Sequence, residues 1–257
     1  AQPLQYMHAY GCTVYENPEP GHRYFIIVDV SRGKGLDYSA FQVIDTTEVP
    51  YKQVCVFRNN MITPTDFTGF IHRMAMHYKE AFVLVEINDI GGQVADMLYD
   101  DFEYENVLST ESHGRAGKRI SGGFGKSVDR GIRTTKTVKA IGCSMIKLLI
   151  EQGKLKIADK ETISELNTFS AKAKSYEAEP GRHDDLVMCL VLFGWLSQDT
   201  FFNEINDDNI LKHLRDRTAE EMNDDMVGFG FVYDSIDDFD DNAPVRMDGG
   251  WWNHVNV

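Results

Sequence analysis

Tyr24-Phe25-Ile26-Ile27-Val28-Asp29 is an unbroken apolar run that stops on a carboxylate. That is the pattern of a strand buried on both faces and ending at a loop. It recurs at Ala81-Phe82-Val83-Leu84-Val85-Glu86, while Asp184-Asp185 heads a segment, Leu186 to Ser197, that is apolar nearly all round. An ionised carboxylate beside a hydrophobic core is costly unless compensated, so acids converging there from distant segments imply a divalent cation, Mg²⁺ or Mn²⁺. Taken singly, an Asp at a strand end is more often a turn former, and one at a helix start more often a cap. Here three elements share the arrangement.

Working outward, apolar runs predict strands over 24–30, 38–45 and 53–58, then an amphipathic helix from Pro64 to Tyr78. A strand over 81–87 follows, then a helix from Gly92 to Tyr99, a short strand at Val107-Leu108, and a helix from Thr134 to Gln152 with Gly153 at its C-terminal end. Leu155-Lys156-Ile157 reads as a short strand, Glu161 to Phe169 as a helix, and Asp184 to Ser197 as a final helix buried against a sheet. This order describes an α/β domain of the ribonuclease H-like (resolvase and integrase) type, a mixed central sheet with helices on both faces. In such a fold the first three strands make an antiparallel meander, the ends of the first and fourth strands are adjacent, and the last helix passes over them. Asp29, Glu86 and Asp185 would then converge.

The 257 residues, 42% hydrophobic, suffice for a core, and no stretch approaches the roughly 20 apolar residues of a membrane span. Residues 1–21 lack the basic and apolar regions of a signal peptide, so a cytoplasmic, non-secreted protein is expected. Cys12, Cys55, Cys143 and Cys189 show no CxxC spacing, which implies neither zinc nor disulfides. The net charge of −14 is uneven: residues 199–257 hold 15 acidic and 4 basic residues, a net of −11, leaving 25 acidic and 22 basic, or −3, for residues 1–198. Within residues 113–139 eight basic side chains stand against one acid, Asp129, for a local charge of +7. Six glycines share that stretch, so it reads as a mobile phosphate-seeking loop or, as readily, a merely solvated one. Arg115, Lys118, Arg119, Lys126, Arg130, Arg133 and Lys136 are its candidate DNA contacts.

Three segments carry a family resemblance: Val28-Asp29-Val30-Ser31-Arg32-Gly33-Lys34-Gly35-Leu36-Asp37-Tyr38, Val85-Glu86-Ile87-Asn88 and His183-Asp184-Asp185-Leu186-Val187-Met188. With Gly194-Trp195-Leu196-Ser197 and Thr137-Val138-Lys139-Ala140-Ile141-Gly142-Cys143-Ser144, they resemble the nuclease domain of a T-even-type bacteriophage terminase large subunit, over about residues 20–200. The resemblance implies a DNA-packaging motor with an ATPase half and a nuclease half that cuts concatemeric double-stranded DNA. No GxxxxGK[ST] pattern occurs, so this chain is expected to be the nuclease half alone. Residues 1–21 are then a linker remnant of the ATPase domain, 22–198 the core and 199–257 an acidic extension.

By the same resemblance the metal ligands and catalytic residues are Asp29, Glu86 and Asp185, with Asp184 alongside and Asp37 and His183 in secondary roles. Arg32 departs from the family, which often carries an acid there. The implied chemistry is in-line attack of water on a phosphodiester, with two ions about 4 Å apart sharing a carboxylate, for which Asp29 is the best candidate. The implied partners are DNA, the portal protein, the small terminase subunit and the ATPase half, in the host cytoplasm and transiently at the procapsid portal. A rival reading is an actin-like or sugar-kinase-type ATPase, which shares the core but requires a second glycine-rich phosphate hairpin. A non-catalytic portal-docking domain is a third.

Overall fold

The computed structural model describes residues 2–7, 11–32, 37–112, 118–121, 128–172, 175–179 and 181–207. Along the chain run β1 (Gln5–Met7), β2 (Cys12–Val14), β3 (Tyr24–Asp29), β4 (Ser39–Asp45), β5 (Tyr51–Asn59), α1 (Pro64–His77), β6 (Phe82–Val85) and α2 (Gly91–Asp96), which continues as a π-helical turn, Met97–Asp101. Then come β7 (Ser109–Ser112), β8 (Lys118–Ser121), β9 (Val128–Arg130), α3 (Lys136–Glu151), β10 (Leu155–Lys156), α4 (Lys160–Thr168), β11 (Phe169–Lys172), β12 (Ser175–Ala178) and α5 (Asp185–Leu196). A last described helix, α6, spans Thr200–Asp207.

The main sheet has the order β1-β2-β5-β4-β3-β6, with β10 pairing parallel to β5. β3, β4 and β5 form the expected antiparallel meander, and β6 lies parallel to β3. Two apolar layers cover it. Ile26, Val28, Phe41 and Phe57 pack with Phe67, Ile71 and Val94 of α1 and α2. Phe25, Ile27, Ala40 and Leu84 pack with Val138 and Ile146 of α3 and with Leu186, Leu190 and Phe193 of α5. Helix α5 is apolar all round because α3 lies against its outer side. A Cβ on Gly142 would come 2.1 Å from the Val191 carbonyl oxygen, and one on Gly194 2.6 Å from the Gly142 oxygen, so only glycine allows the two helices to approach this closely.

Three segments differ from the sequence expectation. Residues 1–21 are not a bare linker: Cys12 and Val14 are buried, and β1 and β2 extend the sheet on β5, because this edge offers both apolar cover and open backbone groups. Residues 113–139 are not one glycine-rich loop, since β8 and β9 pair antiparallel with β7 in a small separate sheet. The core also passes the boundary expected at 198: Phe202 is fully buried, and Asn206 accepts a hydrogen bond from Thr46 Oγ1 at 3.1 Å. The β11–β12 hairpin follows from no apolar run and had no sequence-based expectation. Among the described residues no single helix is long and apolar enough to cross a membrane.

Candidate metal centre

Side-chain alternation places the first two acids. Along β3, Tyr24, Ile26 and Val28 face α1 and α2, whereas Phe25 and Ile27 face α3 and α5. Asp29, next in the alternation, therefore points towards α5. Glu86 follows Leu84 in the same way, and the β3–β6 register sets Val28 beside Val85, with the Glu86 N–H donating to the Val28 carbonyl at 2.9 Å. The two carboxylates are neighbours on one face. The row continues across the sheet, because Asp29 pairs with Ala40 and Ala40 with Arg58.

Burial pushes the Asp29 carboxyl well above the usual aspartate range, and the adjacent Glu86 pushes it further, by charge and by a hydrogen bond between the two side chains. Asp185 and Asp184 act in the same direction. Glu86 is held by Asn88, whose Nδ2 donates to Glu86 Oε1 at 3.2 Å and to the Thr134 carbonyl at 3.1 Å, while its Oδ1 accepts the Thr134 N–H at 2.9 Å. Gly131, at φ +98°, lets Ile132 bridge to Glu86, since a Cβ there would lie 2.4 Å from the Val85 oxygen.

The third acid stands at the start of α5. Asp184 is the N-cap residue but makes no side-chain capping bond. The cap comes from α4, where Glu165 Oε2 accepts the Leu186 and Val187 N–H groups at 2.9 and 3.1 Å. The bland reading of Asp184-Asp185 as a helix cap therefore fails, and both carboxylates are released for other work. Asp185 is pushed up by burial and drawn down by Arg58 and His183, whose nitrogens each lie 3.7 Å from Oδ2. Oδ2 is buried and has no hydrogen-bond partner. Lys139 Nζ stands 4.0 Å from Asp184. Glu165 itself is pushed up to about 7, since burial outweighs Arg58 and the two amide donors.

Sequence reasoning missed Arg58 and Glu165. Arg58 ion-pairs with Glu161 at 3.2 Å, Glu165 at 3.4 Å and Asp185 at 3.7 Å, and lies 3.9 Å over the Tyr38 ring. Its signal was available: Arg58 lies two residues after Val56, on the α5 face of β5. Glu165 carried no such signal, because its role depends on where α4 docks.

The secondary candidates divide. His183 is partly exposed, edge-on to Tyr38 with centroids 4.9 Å apart and close to Asp185. Asp37 is exposed, and its backbone carbonyl accepts the Ser31 hydroxyl at 2.8 Å. Arg32 makes a two-bond pair with Asp89, joining the loops that follow β3 and β6. Of the basic candidates, Arg115 and Lys126 lie outside the described residues, and Lys118 is placed only by its backbone in β8. Arg119, Arg133 and Lys136 are exposed. Arg130 is engaged within the fold, bonding Asp96 at 3.2 Å and Asp100 at 2.8 Å and covering the Tyr99 ring.

Asp29, Glu86, Asp184 and Asp185 thus converge from three elements. Their donors are all carboxylate oxygens, among them Asp185 Oδ2, buried without a hydrogen bond, and burial together with the neighbouring carboxylates raises Asp29; such a donor set suits a hard divalent cation. Among the described residues no three His, Cys, Asp or Glu side chains are already grouped so that they could hold a metal ion; the acids turn to one another and to Arg58 and Lys139.

Residues 26–193 match the model of the terminase RNaseH-like domain family. The chain belongs to that family. This terminase domain is 28% identical over 185 residues to the terminase large subunit of Thermus virus P23-45, covering 70% of this chain and 33% of that protein. The domain thus spans about a third of that relative. Among solved structures it is similar to the large terminase nuclease of thermophilic phage G20c with bound magnesium, at 23% identity and TM-score 0.56, covering 77% of this chain and 91% of that one. The nuclease domain of Thermus phage P74-26 large terminase is also similar, at 24% identity and TM-score 0.53, covering 74% and 87%. These likenesses establish the ribonuclease H-like fold expected from the order of the terminase domain's elements.

Proposed function

We propose that this terminase domain is a divalent-metal-dependent DNA endonuclease that cuts concatemeric double-stranded DNA with little sequence preference during viral genome packaging. The observation that carries the reading is the convergence of Asp29, Glu86 and Asp185 on one face, with the capping of α5 taken over by Glu165. Similar G20c terminase nuclease structures hold magnesium, cobalt or zinc, which supports a divalent ion here. Two ions is the stoichiometry we favour, with Asp29 a ligand, and when bound they would activate water and stabilise the leaving 3′ oxygen.

The chain's own residues supply the rest. Asp29, Glu86 and Asp185, with Asp184 beside them, would hold the ions. Asn88 fixes the orientation of Glu86, and His183, 3.7 Å from Asp185 Oδ2, would assist in proton transfer or contact the phosphate. Arg58 and Lys139, which ion-pair with Asp185 and Asp184, would be the nearest cations to a phosphodiester bound there. Membership of the terminase family favours this reading over the actin-like ATPase. We infer that the ATPase half, the portal and the small terminase subunit are its working partners at the procapsid in the host cytoplasm.

The test is incubation of supercoiled plasmid with the purified chain in Mg²⁺, Mn²⁺ or EDTA beside Asp185→Ala. Nicking or linearisation that needs the metal and vanishes in the variant is expected; no cleavage with any metal would favour a portal-docking role.

DNA contact should be electrostatic and fall on the exposed bases. Replacing Arg119, Arg133 and Lys136 together by Ala is expected to lower duplex affinity and to reduce the slope of log K against log salt by about 0.9 for each lost phosphate contact. Arg130→Ala should weaken the fold more than DNA binding, because its charge is already spent on Asp96 and Asp100. An unchanged salt slope in the triple variant would refute this placement.

A further inference from the structure

We propose that Glu165 is a positioning residue for Asp185: it takes over the cap of α5 and draws the Arg58 guanidinium off a two-bond seat on Asp185, leaving Asp184 and Asp185 to face Asp29 and Glu86. The proposal rests on reading those acids as the cation centre.

The first N–H groups of any helix need acceptors, and the usual supplier is the N-cap side chain. In α5 that residue is Asp184, which does not cap, while Glu165 Oε2 reaches from α4 to accept the Leu186 and Val187 amides. Only 8% of the Glu165 side chain is exposed. A carboxylate placed there is not a surface accident. It keeps two other carboxylates off the helix end.

Its second oxygen addresses Arg58. The Arg58 side chain is 17% exposed, and its guanidinium lies over Tyr38 and is shared among Glu161 at 3.2 Å, Glu165 Oε1 at 3.4 Å and Asp185 Oδ2 at 3.7 Å. Arginine prefers to seat two parallel N–H donors on one carboxylate. Seated that way on Asp185, it would occupy the oxygens a divalent ion needs. The pull of Glu165 and Glu161 keeps it to a 3.7 Å ion pair, and Asp185 Oδ2 is left buried without a hydrogen bond.

A plain helix cap and a positioning residue make different predictions. Glu165→Gln keeps a side-chain oxygen for the two amides but removes the charge that faces Arg58; Glu165→Ala removes both. Thermal unfolding and Mn²⁺ binding, read from free Mn²⁺ by electron paramagnetic resonance in mildly alkaline buffer, would be measured together. Glu165→Gln is expected to unfold near the wild-type temperature but to bind Mn²⁺ about tenfold more weakly, the size of change seen when a partner of a metal ligand is removed. Adding Arg58→Gln to Glu165→Gln is expected to restore binding, since the competing guanidinium is gone. Glu165→Ala should lower the unfolding temperature as well. Wild-type Mn²⁺ affinity in Glu165→Gln, or no recovery in the double variant, would overturn the proposal and leave Glu165 as a cap. A wild-type chain that takes up no Mn²⁺ would overturn the cation-centre reading, and this proposal with it.

Discussion

Asp29→Asn is expected to abolish metal-dependent cleavage while making the protein more stable in EDTA. The carboxamide has the shape of the carboxylate, so packing at the end of β3 is kept. The charge that holds a cation and orients the phosphodiester is lost, and such contributions are worth several kcal/mol, so the rate should fall roughly a thousandfold or more.

The stability gain follows from proton linkage. Burial and Glu86 raise the folded Asp29 value well above the ordinary 3.8, so the folded state holds a proton that the unfolded state has released. Stability then falls as pH rises from about 3.8 towards the raised value, and stays low above it. Asparagine has no such dependence. The variant's advantage should therefore be greatest at neutral and alkaline pH and shrink towards pH 3.8, as measured by urea unfolding across pH in EDTA. A variant that is less stable at neutral pH would show that Asp29 is compensated within the fold and carries no demand for a cation.

Phe202→Ala is expected to have the largest effect on stability, although the residue lies beyond the boundary expected at 198. Its ring is fully buried against Phe25, Tyr51 and Phe193, with centroids 5.0, 5.8 and 5.9 Å away. Emptying such a site costs about 3–5 kcal/mol, a large part of the roughly 5–15 kcal/mol that holds an ordinary domain folded. Loss of the ring also frees α6, whose Asn206 bonds Thr46 and whose preceding Asp199 accepts the Ile120 N–H at 3.2 Å. A shift of the urea midpoint corresponding to less than about 1 kcal/mol would mean that α6 is only loosely attached.

The parts of this domain that were legible in sequence are those where burial on both faces leaves a continuous apolar run. β3, β4, β5, β6, α1, α3 and α5 fall close to their expected ranges for that reason, and strand alternation carries Asp29 and Glu86 to the α5 face. The rest depends on contacts that local pattern does not encode. β1 and β2 are three residues each and exist because β5 offers an open edge. β8 and β9 read as a basic, glycine-bearing loop, since neither carries an apolar run and only pairing with β7 makes them strands. Arg130 looked like a DNA contact because Asp96 and Asp100, its partners, lie some thirty residues back in the chain. Of the residues that support the acids, Arg58 was marked by its place two residues after Val56, whereas Glu165 had no local signal because it needed the docking of α4 beneath α5.

The central claim is that acids from β3, β6 and α5 form one divalent cation centre. Calorimetric titration of Mn²⁺ into the wild type, Glu86→Ala and Asp185→Ala tests it most directly, because the two variants alter different elements. The account predicts saturable binding in the wild type that is lost in both variants; binding of undiminished affinity and stoichiometry in either one would contradict it.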